Sequence, residues 1–148
     1  MIIRQAAPAD AEQLKTLYFK HLTAFPPAET QDMNKWREYI ELFANDDYTR
    51  LLVCEVDGTI VSTVHITLIK NLTHNLRPYA VIENVVTHFD YRCKGYASAL
   101  LNAATDFAEE MNCYKIFLET GSNKESTLNF YRNNGFAIDE KHSCLKRL

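Results

Sequence analysis

The stretch "VVTHFDYRCKGYASALL" joins a predicted strand to a predicted helix and carries the residues best suited to bind an anion. A strand that enters a helix through a tight turn leaves the first helical N–H groups unpaired, at the positive end of the helix dipole. Gly95 lets a ligand approach the backbone, Arg92 and Lys94 add positive charge, and the small Ala97 and Ser98 keep the first turn narrow. This chemistry suits a pyrophosphate, although an ordinary helix start with two solvated cations would also explain the residues.

Other binding patterns are absent from the sequence. It contains neither GxxxxGK[ST] nor GxGxxG, so neither a P-loop nor a dinucleotide fingerprint is supported. The five histidines and four cysteines show no HExxH or CxxC spacing, so we expect no metal site and no disulfide framework. Cys93, in the turn, is interpreted as an incidental loop cysteine rather than a reactive thiol. A net charge of -3 argues against nucleic acid as a partner.

The sequence also carries no sign of a membrane segment or a secretory signal. No apolar run approaches the roughly 18 residues that a membrane span needs. The opening "MIIRQAAPADAEQL" lacks the basic and apolar pattern of a signal peptide. We therefore expect a cytoplasmic protein without a membrane partner.

The 148 residues suit one domain, residues 1–148, of mixed α/β class. Helical spacing of apolar residues, β-branched runs and turn residues mark the elements. Asp57-Gly58 predicts a hairpin turn, and Gly135 lies where a helix C-cap belongs. The predicted order is a strand at 1–5, helices at 8–22 and 32–45, a hairpin at 50–69, a strand at 79–88, a helix at 94–111, a strand at 113–120, a helix at 122–135, and one or two strands at 137–148.

Two segments at the right separation resemble the GCN5-related N-acetyltransferases, the GNAT superfamily. "RCKGYA" resembles the [QR]-x-x-G-x-[GA] signature, and "VIENVVTHFDYRCKGYASALL" is similar to the fourth strand, pyrophosphate loop and third helix of that fold. "CYKIFLETGSNKESTLNFYRNNGF" is similar to its fifth strand and fourth helix, with a Tyr shortly before Gly-Phe. The resemblance is strong over Val81 to Phe136, and the N-terminal half fits by element order. "IENV" and "CYKI" also resemble glucosamine-phosphate acetyltransferases.

The resemblance implies an α/β (α+β mixed) acyl-CoA N-acyltransferase fold. Its central, mostly antiparallel twisted sheet has splayed strands 4 and 5 and is flanked by about four helices. Acetyl-CoA, the implied cosubstrate, would bind where these strands splay, without a metal. The implied contacts are backbone groups of Val85, Val86 and Thr87 along the pantetheine arm, residues Arg92, Cys93, Lys94, Gly95, Tyr96, Ala97 and Ser98 around the pyrophosphate, and Asn123 and Lys124.

The implied reaction is direct attack of a primary amine on the thioester in a ternary complex. The amine, with a pKa near ~10, must first lose a proton. The resemblance implies Tyr131 as the acid that protonates the thiolate, with a packed aromatic as the alternative. It implies Glu83 as the base, with Glu119 or a water chain as alternatives. If Glu83 has only a structural role, it is a hydrogen-bonded carboxylate of the strand that moves no proton. An amide of Val85 or Val86 would stabilise the oxyanion.

The predicted function is therefore an N-acetyltransferase that acts on an amine of a small molecule or a protein. A non-catalytic acyl-CoA-binding sensor or partner-binding module is the alternative. The acceptor site is expected around the first two helices, with "AFPPAETQDMNKW", and around "KNLTHNLRPYA". Tyr18, Phe25, Trp36 and Arg77 could line it, and a structural or solvated role is the alternative for each of them. Many relatives form homodimers, and the predicted edge strands of the tail offer a surface for one.

Overall fold

The computed structural model describes residues 1–24, 26–141 and 143–148, which include five strands and four α-helices. They form two compact units, residues 1–117 and residues 118–148. Short 3₁₀ turns lie at Pro8–Asp10 and Phe89–Tyr91. The elements are β1 (Ile2–Gln5), α1 (Ala11–His21), α2 (Met33–Ala44), β2 (Thr49–Val56), β3 (Thr59–Ile69), β4 (Tyr79–Thr87), α3 (Tyr96–Glu110), β5 (Ile116–Leu118) and α4 (Glu125–Asn133).

The strands form one sheet in the order β1-β2-β3-β4-β5. The first four are antiparallel neighbours, whereas β4 and β5 are parallel, which confirms the predicted fold class. Asp57 and Gly58 join β2 to β3 with φ angles of 49° and 77°, as a two-residue hairpin turn requires. Just before β5, the Ala80 N–H donates to the carbonyl of Lys115 at 3.0 Å, which ties the start of β4 to this segment.

Each face of the sheet buries its own layer of apolar side chains. On one face, α3 contributes five buried residues, Leu100, Leu101, Ala104, Phe107 and Ala108. They cover alternate residues of the central strands, among them Val64, Ile66 and Ile82, which are almost completely buried. On the other face, α1 and α2 cover a second cluster that consists of Ala6, Ala11, Leu14, Leu17, Ile40, Leu51, Val53, Ile60 and Val86.

A group of charged side chains fixes the junction between β1 and α1. The Arg4 guanidinium donates to the Asp10 carboxylate at 2.7 and 2.9 Å and to Glu55 at 2.8 and 3.0 Å. Burial alone would raise the pKa of Asp10, but the hydrogen bonds from Arg4 and from the Ala7 N–H, together with the Arg4 charge, lower it. The carboxylate is therefore stabilised in its charged form, where it holds the start of α1 against the sheet.

The first turn of α2 is fixed by a capping side chain. The Asp32 carboxylate accepts from the N–H groups of Asn34 and Lys35 at 3.0 and 3.3 Å. This N-cap places the aromatic residues of α2 over the sheet. It agrees with the predicted helix over 32–45 to within one residue at each end.

The C-terminal tail differs from the prediction. Residues 137–141 and 143–148 contain no strand, and β5 is shorter than the predicted strand at 113–120. The expected tail strands are therefore wrong. The segment "AIDEKHSCLKRL" lacks the regular alternation of apolar and polar residues with which a strand buries one face. Within the described part of the chain, no helix combines the length and apolar character needed to cross a membrane.

Candidate active site

A β-bulge interrupts β4 at Asn84. The pairing of β3 with β4 shifts between the pairs Thr63–Val86 and His65–Glu83, so two residues of β4 oppose a single residue of β3. Asn84 takes the left-handed conformation, with a φ of 55°, which asparagine tolerates better than most side chains. The bulge changes the direction in which the following residues of β4 point.

After the bulge, a different set of alternate residues of β4 directs its N–H and C=O groups toward β3. The His88 N–H donates to the carbonyl of Val61 at 2.9 Å. Because paired residues alternate in an antiparallel ladder, Val86 directs its N–H and C=O toward β3, whereas Val85 and Thr87 direct theirs away from it. Val85 therefore presents a backbone edge that β3 does not use.

The turn before α3 has the geometry of an anion site. Cys93 and Gly95 both have positive φ angles, of 59° and 83°, and Gly95 is the N-cap of α3. The first intrahelical bond runs from the Ala99 N–H to the Gly95 carbonyl at 2.9 Å. A Cβ placed on Gly95 would meet no atom within 4 Å, so the space above the turn is open. Three N–H groups thus precede the first helical bond, those of Tyr96, Ala97 and Ser98.

Two cations are held against this turn by its own backbone. The Arg92 Nε donates to the carbonyl of Thr87 at 3.2 Å, and its guanidinium lies 4.0 Å from the centre of the Phe89 ring. The Lys94 Nζ donates to the carbonyl of Asp90 at 3.0 Å. Both side chains are exposed, so their charges remain available to a ligand at the α3 N-terminus.

A cavity of about 460 Å³ lies between α1, α2 and the sheet. It opens on the face of the sheet that carries His65, and Asn84 brings the β4 bulge to its wall. Glu83, which is exposed, pairs directly with His65 across β3 and β4. The lining residues are Leu14, Tyr18, Lys35, Trp36, Tyr39, Ile40, Phe43, Leu51, His65 and Asn84.

His65 is a neutral group in this wall. Its ring centre lies 4.7 Å from that of Phe43, and its Nε2 is buried without a hydrogen-bond partner among the described residues. Burial lowers the pKa of His65 below its ordinary value of 6.5, because the charged ring would lose its hydration. The imidazole therefore places no positive charge in the cavity near neutral pH.

The C-terminal unit holds Tyr131 near the end of α4. The Gly135 N–H donates to the Arg132 carbonyl at 3.0 Å and the Phe136 N–H donates to the Tyr131 carbonyl at 3.1 Å, which is a Schellman motif. Gly135 has the required positive φ of 85°, so the predicted C-cap is confirmed. Tyr131 is 8% exposed, and burial raises the pKa of its phenol, which therefore stays protonated at neutral pH.

The remaining predicted residues of this unit are exposed. Lys124 is the N-cap of α4, and its N–H donates to the Ser122 hydroxyl at 3.3 Å. The Glu119 carboxylate accepts a hydrogen bond from the Ser143 hydroxyl. The Glu119 carboxylate thus already has a hydrogen-bond partner. Asn123 is an exposed loop residue that precedes α4.

A comparison with known families identifies the architecture. The model of the acetyltransferase (GNAT) family matches residues 12–136. This chain belongs to that family. The match includes β4, the Gly95 turn, α3 and α4, so the elements described above lie within the shared region.

Individual GNAT relatives resemble the chain over most of its length. An uncharacterized N-acetyltransferase of Methanocaldococcus jannaschii is 27% identical over 140 residues, which are 93% of this chain and 61% of that protein. A glucosamine 6-phosphate N-acetyltransferase of Trypanosoma brucei brucei is 27% identical over 84% of this chain and 82% of its own length. A solved structure from Agrobacterium tumefaciens, named as an acetyltransferase, superimposes with a TM-score of 0.86 at 30% identity, and the match covers 99% of this chain and 100% of that one. The chain therefore spans less than two thirds of the M. jannaschii relative.

The structure brings only some of the predicted residues of this GNAT protein together. Tyr18 and Trp36 line the cavity. Arg77 instead donates to the carbonyls of Asn112 and Cys113 at 3.1 and 2.8 Å, and Phe25 lies outside the described residues. No group of three or more His, Cys, Asp or Glu side chains within residues 1–24, 26–141 and 143–148 is arranged to hold a metal ion.

Sequence reasoning missed His65 and Asn84. Asn84 interrupts the β-branched run "VIENVV", and such a residue inside a strand pattern is a signal for a bulge. His65 carries a weaker signal, since its position depends on the register of β3 against β2 and β4.

We expect His65 to make the fold sensitive to mild acid. Its pKa is lower in the folded than in the unfolded chain, so its contribution to stability is complete above about pH 6.5 and is lost as the pH falls below that value. The substitution His65→Phe should therefore reduce the loss of unfolding free energy between about pH 8 and about pH 5, as measured by urea denaturation. An equal loss of unfolding free energy with falling pH in the two proteins would contradict this assignment. Burial also lowers the pKa of His21, but His21 is present in both proteins and cannot cause a difference between them.

Proposed function

We propose that this GNAT protein transfers the acetyl group of acetyl-CoA to a primary amine, in a ternary complex and without a metal. The observation that carries the proposal is the left-handed turn at Gly95, with open space above it, at the N-terminus of α3 in a chain of this family. A small-molecule acceptor is favoured because the T. brucei relative acts, by its name, on glucosamine 6-phosphate. A protein amino group is the other candidate.

The turn supplies the features that an anion such as the coenzyme A pyrophosphate requires. The amides of Tyr96, Ala97 and Ser98 precede the first helical bond and lie at the positive end of the α3 dipole. The exposed side chains of Arg92 and Lys94 add two charges. Val85 and Thr87, whose backbone groups face away from β3, would pair with the pantetheine arm as an added strand.

The proposed chemistry assigns one task to each group. The amine nitrogen attacks the thioester carbonyl carbon, a C–N bond forms, and the C–S bond breaks. Glu83, directly or through water, accepts the proton that the amine loses. The Val85 N–H stabilises the oxyanion, since the Val86 N–H is turned toward β3.

Tyr131 is proposed to return a proton to the leaving thiolate. Its motif position, four residues before Gly135, supports this role, and its raised pKa keeps the hydroxyl protonated at neutral pH. Asn123 and Lys124 are proposed as further coenzyme contacts.

The described cysteines are unpaired, which suits a reducing compartment, so we place the reaction in the cytoplasm.

An amine panel tests the proposed activity. Purified protein is incubated with acetyl-CoA and with small amines, amino sugars and peptides, and thiol release is followed together with the mass of the product. We expect an acetylated amine and free coenzyme A in equal amounts. Coenzyme binding with no turnover on any amine would favour a non-catalytic acyl-CoA-binding module, and a turnover-competent acetylated protein residue would exclude direct transfer.

Gly95→Asp tests the pyrophosphate site. The substitution places a negative charge at the helix N-terminus, where the phosphates are expected to bind, and should weaken acetyl-CoA binding by about tenfold or more. Gly95→Asn is the matched control, because asparagine has the same shape and also tolerates a positive φ. Calorimetric titration of both variants with acetyl-CoA separates the effect of the added charge from the effect of backbone strain. Equal affinity in the two variants would remove the turn from the coenzyme site.

Tyr131→Phe tests the acid. The variant keeps the ring that packs near Phe130 and Phe136 and loses only the hydroxyl. We expect kcat to fall by about 100-fold while the KM for acetyl-CoA stays unchanged, since general acid catalysis typically contributes this much or more. Steady-state kinetics at several pH values measures both constants. An unchanged kcat would show that the thiolate takes its proton from another source.

A further inference from the structure

The cavity between α1, α2 and the sheet has an aromatic wall. Trp36 and Tyr18 have ring centres 6.2 Å apart, and Tyr39 and Phe43 have ring centres 6.1 Å apart. All four rings line the cavity. Its volume of about 460 Å³ is within the range of roughly 300–1,000 Å³ that is usual for small-molecule sites. An apolar molecule of modest size would therefore fill it.

Few polar groups of this wall are available to a ligand. Tyr18 is half-buried, and burial raises the pKa of its hydroxyl to about 12; the buried Nε2 of His65 packs beside Phe43 rather than toward solvent. Lys35, which is exposed, is the single charged residue among the described lining residues. A sugar in this space would lose the hydrogen bonds that its hydroxyls make with water and would regain few of them.

Polar groups border the cavity at the bulge of β4. Asn84 lines the cavity there, and Glu83, which is exposed and outside the lining, lies on the same face of the sheet, opposite His65. The Val85 backbone edge follows directly in the chain. An amine at the bulge would meet an amide and a carboxylate, whereas the atoms attached to it would extend among the aromatic rings.

We infer that the acceptor is a primary amine carried on an aromatic or cyclic hydrocarbon body. The body binds between Trp36 and Phe43, and the amine lies at Asn84 and Glu83. This inference rests on the proposed function and narrows it, because it excludes amino sugars and other densely hydroxylated amines as preferred acceptors. It follows from the rings of the wall, which offer dispersion contacts and flat faces but few hydrogen bonds.

The position of Trp36 gives a test that does not depend on turnover. It is the only tryptophan of the sequence, so selective excitation of tryptophan fluorescence reports on this wall alone. We expect 2-phenylethylamine and 2-cyclohexylethylamine to change the emission saturably in the absence of acetyl-CoA. Glucosamine 6-phosphate at the same concentrations should not. A saturable response to the sugar phosphate alone would overturn the inference.

Two exposed residues of α2 provide a matched pair of variants. Tyr39 lines the cavity and is 60% exposed, whereas Leu42 is 61% exposed and is not part of the lining. Tyr39→Ala should weaken 2-phenylethylamine binding and raise its KM by about tenfold, as expected for the loss of an aromatic contact, with the KM for acetyl-CoA unchanged. Leu42→Ala should change neither constant. Both positions are exposed, so neither substitution leaves a cavity in the core. Thermal unfolding of the two variants checks that both remain stably folded.

The outcomes separate this inference from the proposed function. Efficient acetylation of the hydrocarbon amines, with the Tyr39 effect, supports both. Acetylation of glucosamine 6-phosphate or a peptide in preference to the hydrocarbon amines overturns the acceptor class and leaves acetyl transfer intact. Equal effects of Tyr39→Ala and Leu42→Ala overturn the assignment of the cavity. Absence of acetylation with every amine overturns both proposals.

Discussion

The bulge in β4 is the constraint on which the rest of the site depends. Without it, the alternation that buries Ala80 and Ile82 beneath α3 would continue, and Val86 would point to the same face. With one extra residue at Asn84, Val86 instead joins the cluster under α1 and α2. The same shift turns the backbone of Val85 away from β3. One left-handed residue thus reverses, for the last residues of β4, the face of the sheet to which each side chain points and the edge to which each backbone group points.

The second constraint is the packing of α3. Its five buried residues fix the helix on the sheet, and this rigid contact determines where its N-terminus points. The turn must then reverse the chain between the end of β4 and the first residue of α3, which it does with positive φ angles at Cys93 and Gly95. Anion-binding geometry at this place therefore follows from the way the helix is packed, and the local charges of Arg92 and Lys94 add to it.

Local signals in the sequence predicted the elements well. Asp57-Gly58 and Gly135 each act through their own backbone or through neighbours within three residues, so a turn or cap can be inferred from the residue type. The bulge at Asn84 and the cavity position of His65 depend on register between strands, which a single sequence specifies weakly. The tail strands were wrong for a related reason: a strand needs a partner and a buried face, and neither can be inferred from a short polar segment.

The two ends of the proposed reaction make opposite demands on the protein. The coenzyme end must attract anions, and the turn proposed to bind it is exposed and cationic. The acceptor end must yield an uncharged amine, and the cavity proposed for it is lined by aromatic rings and a neutral imidazole. An ammonium group at Asn84 and Glu83 would border these rings, and the partial loss of its hydration there would lower its pKa, so part of the deprotonation would be achieved by desolvation. Glu83, the proposed base, then has a smaller task than it would have with a fully hydrated amine.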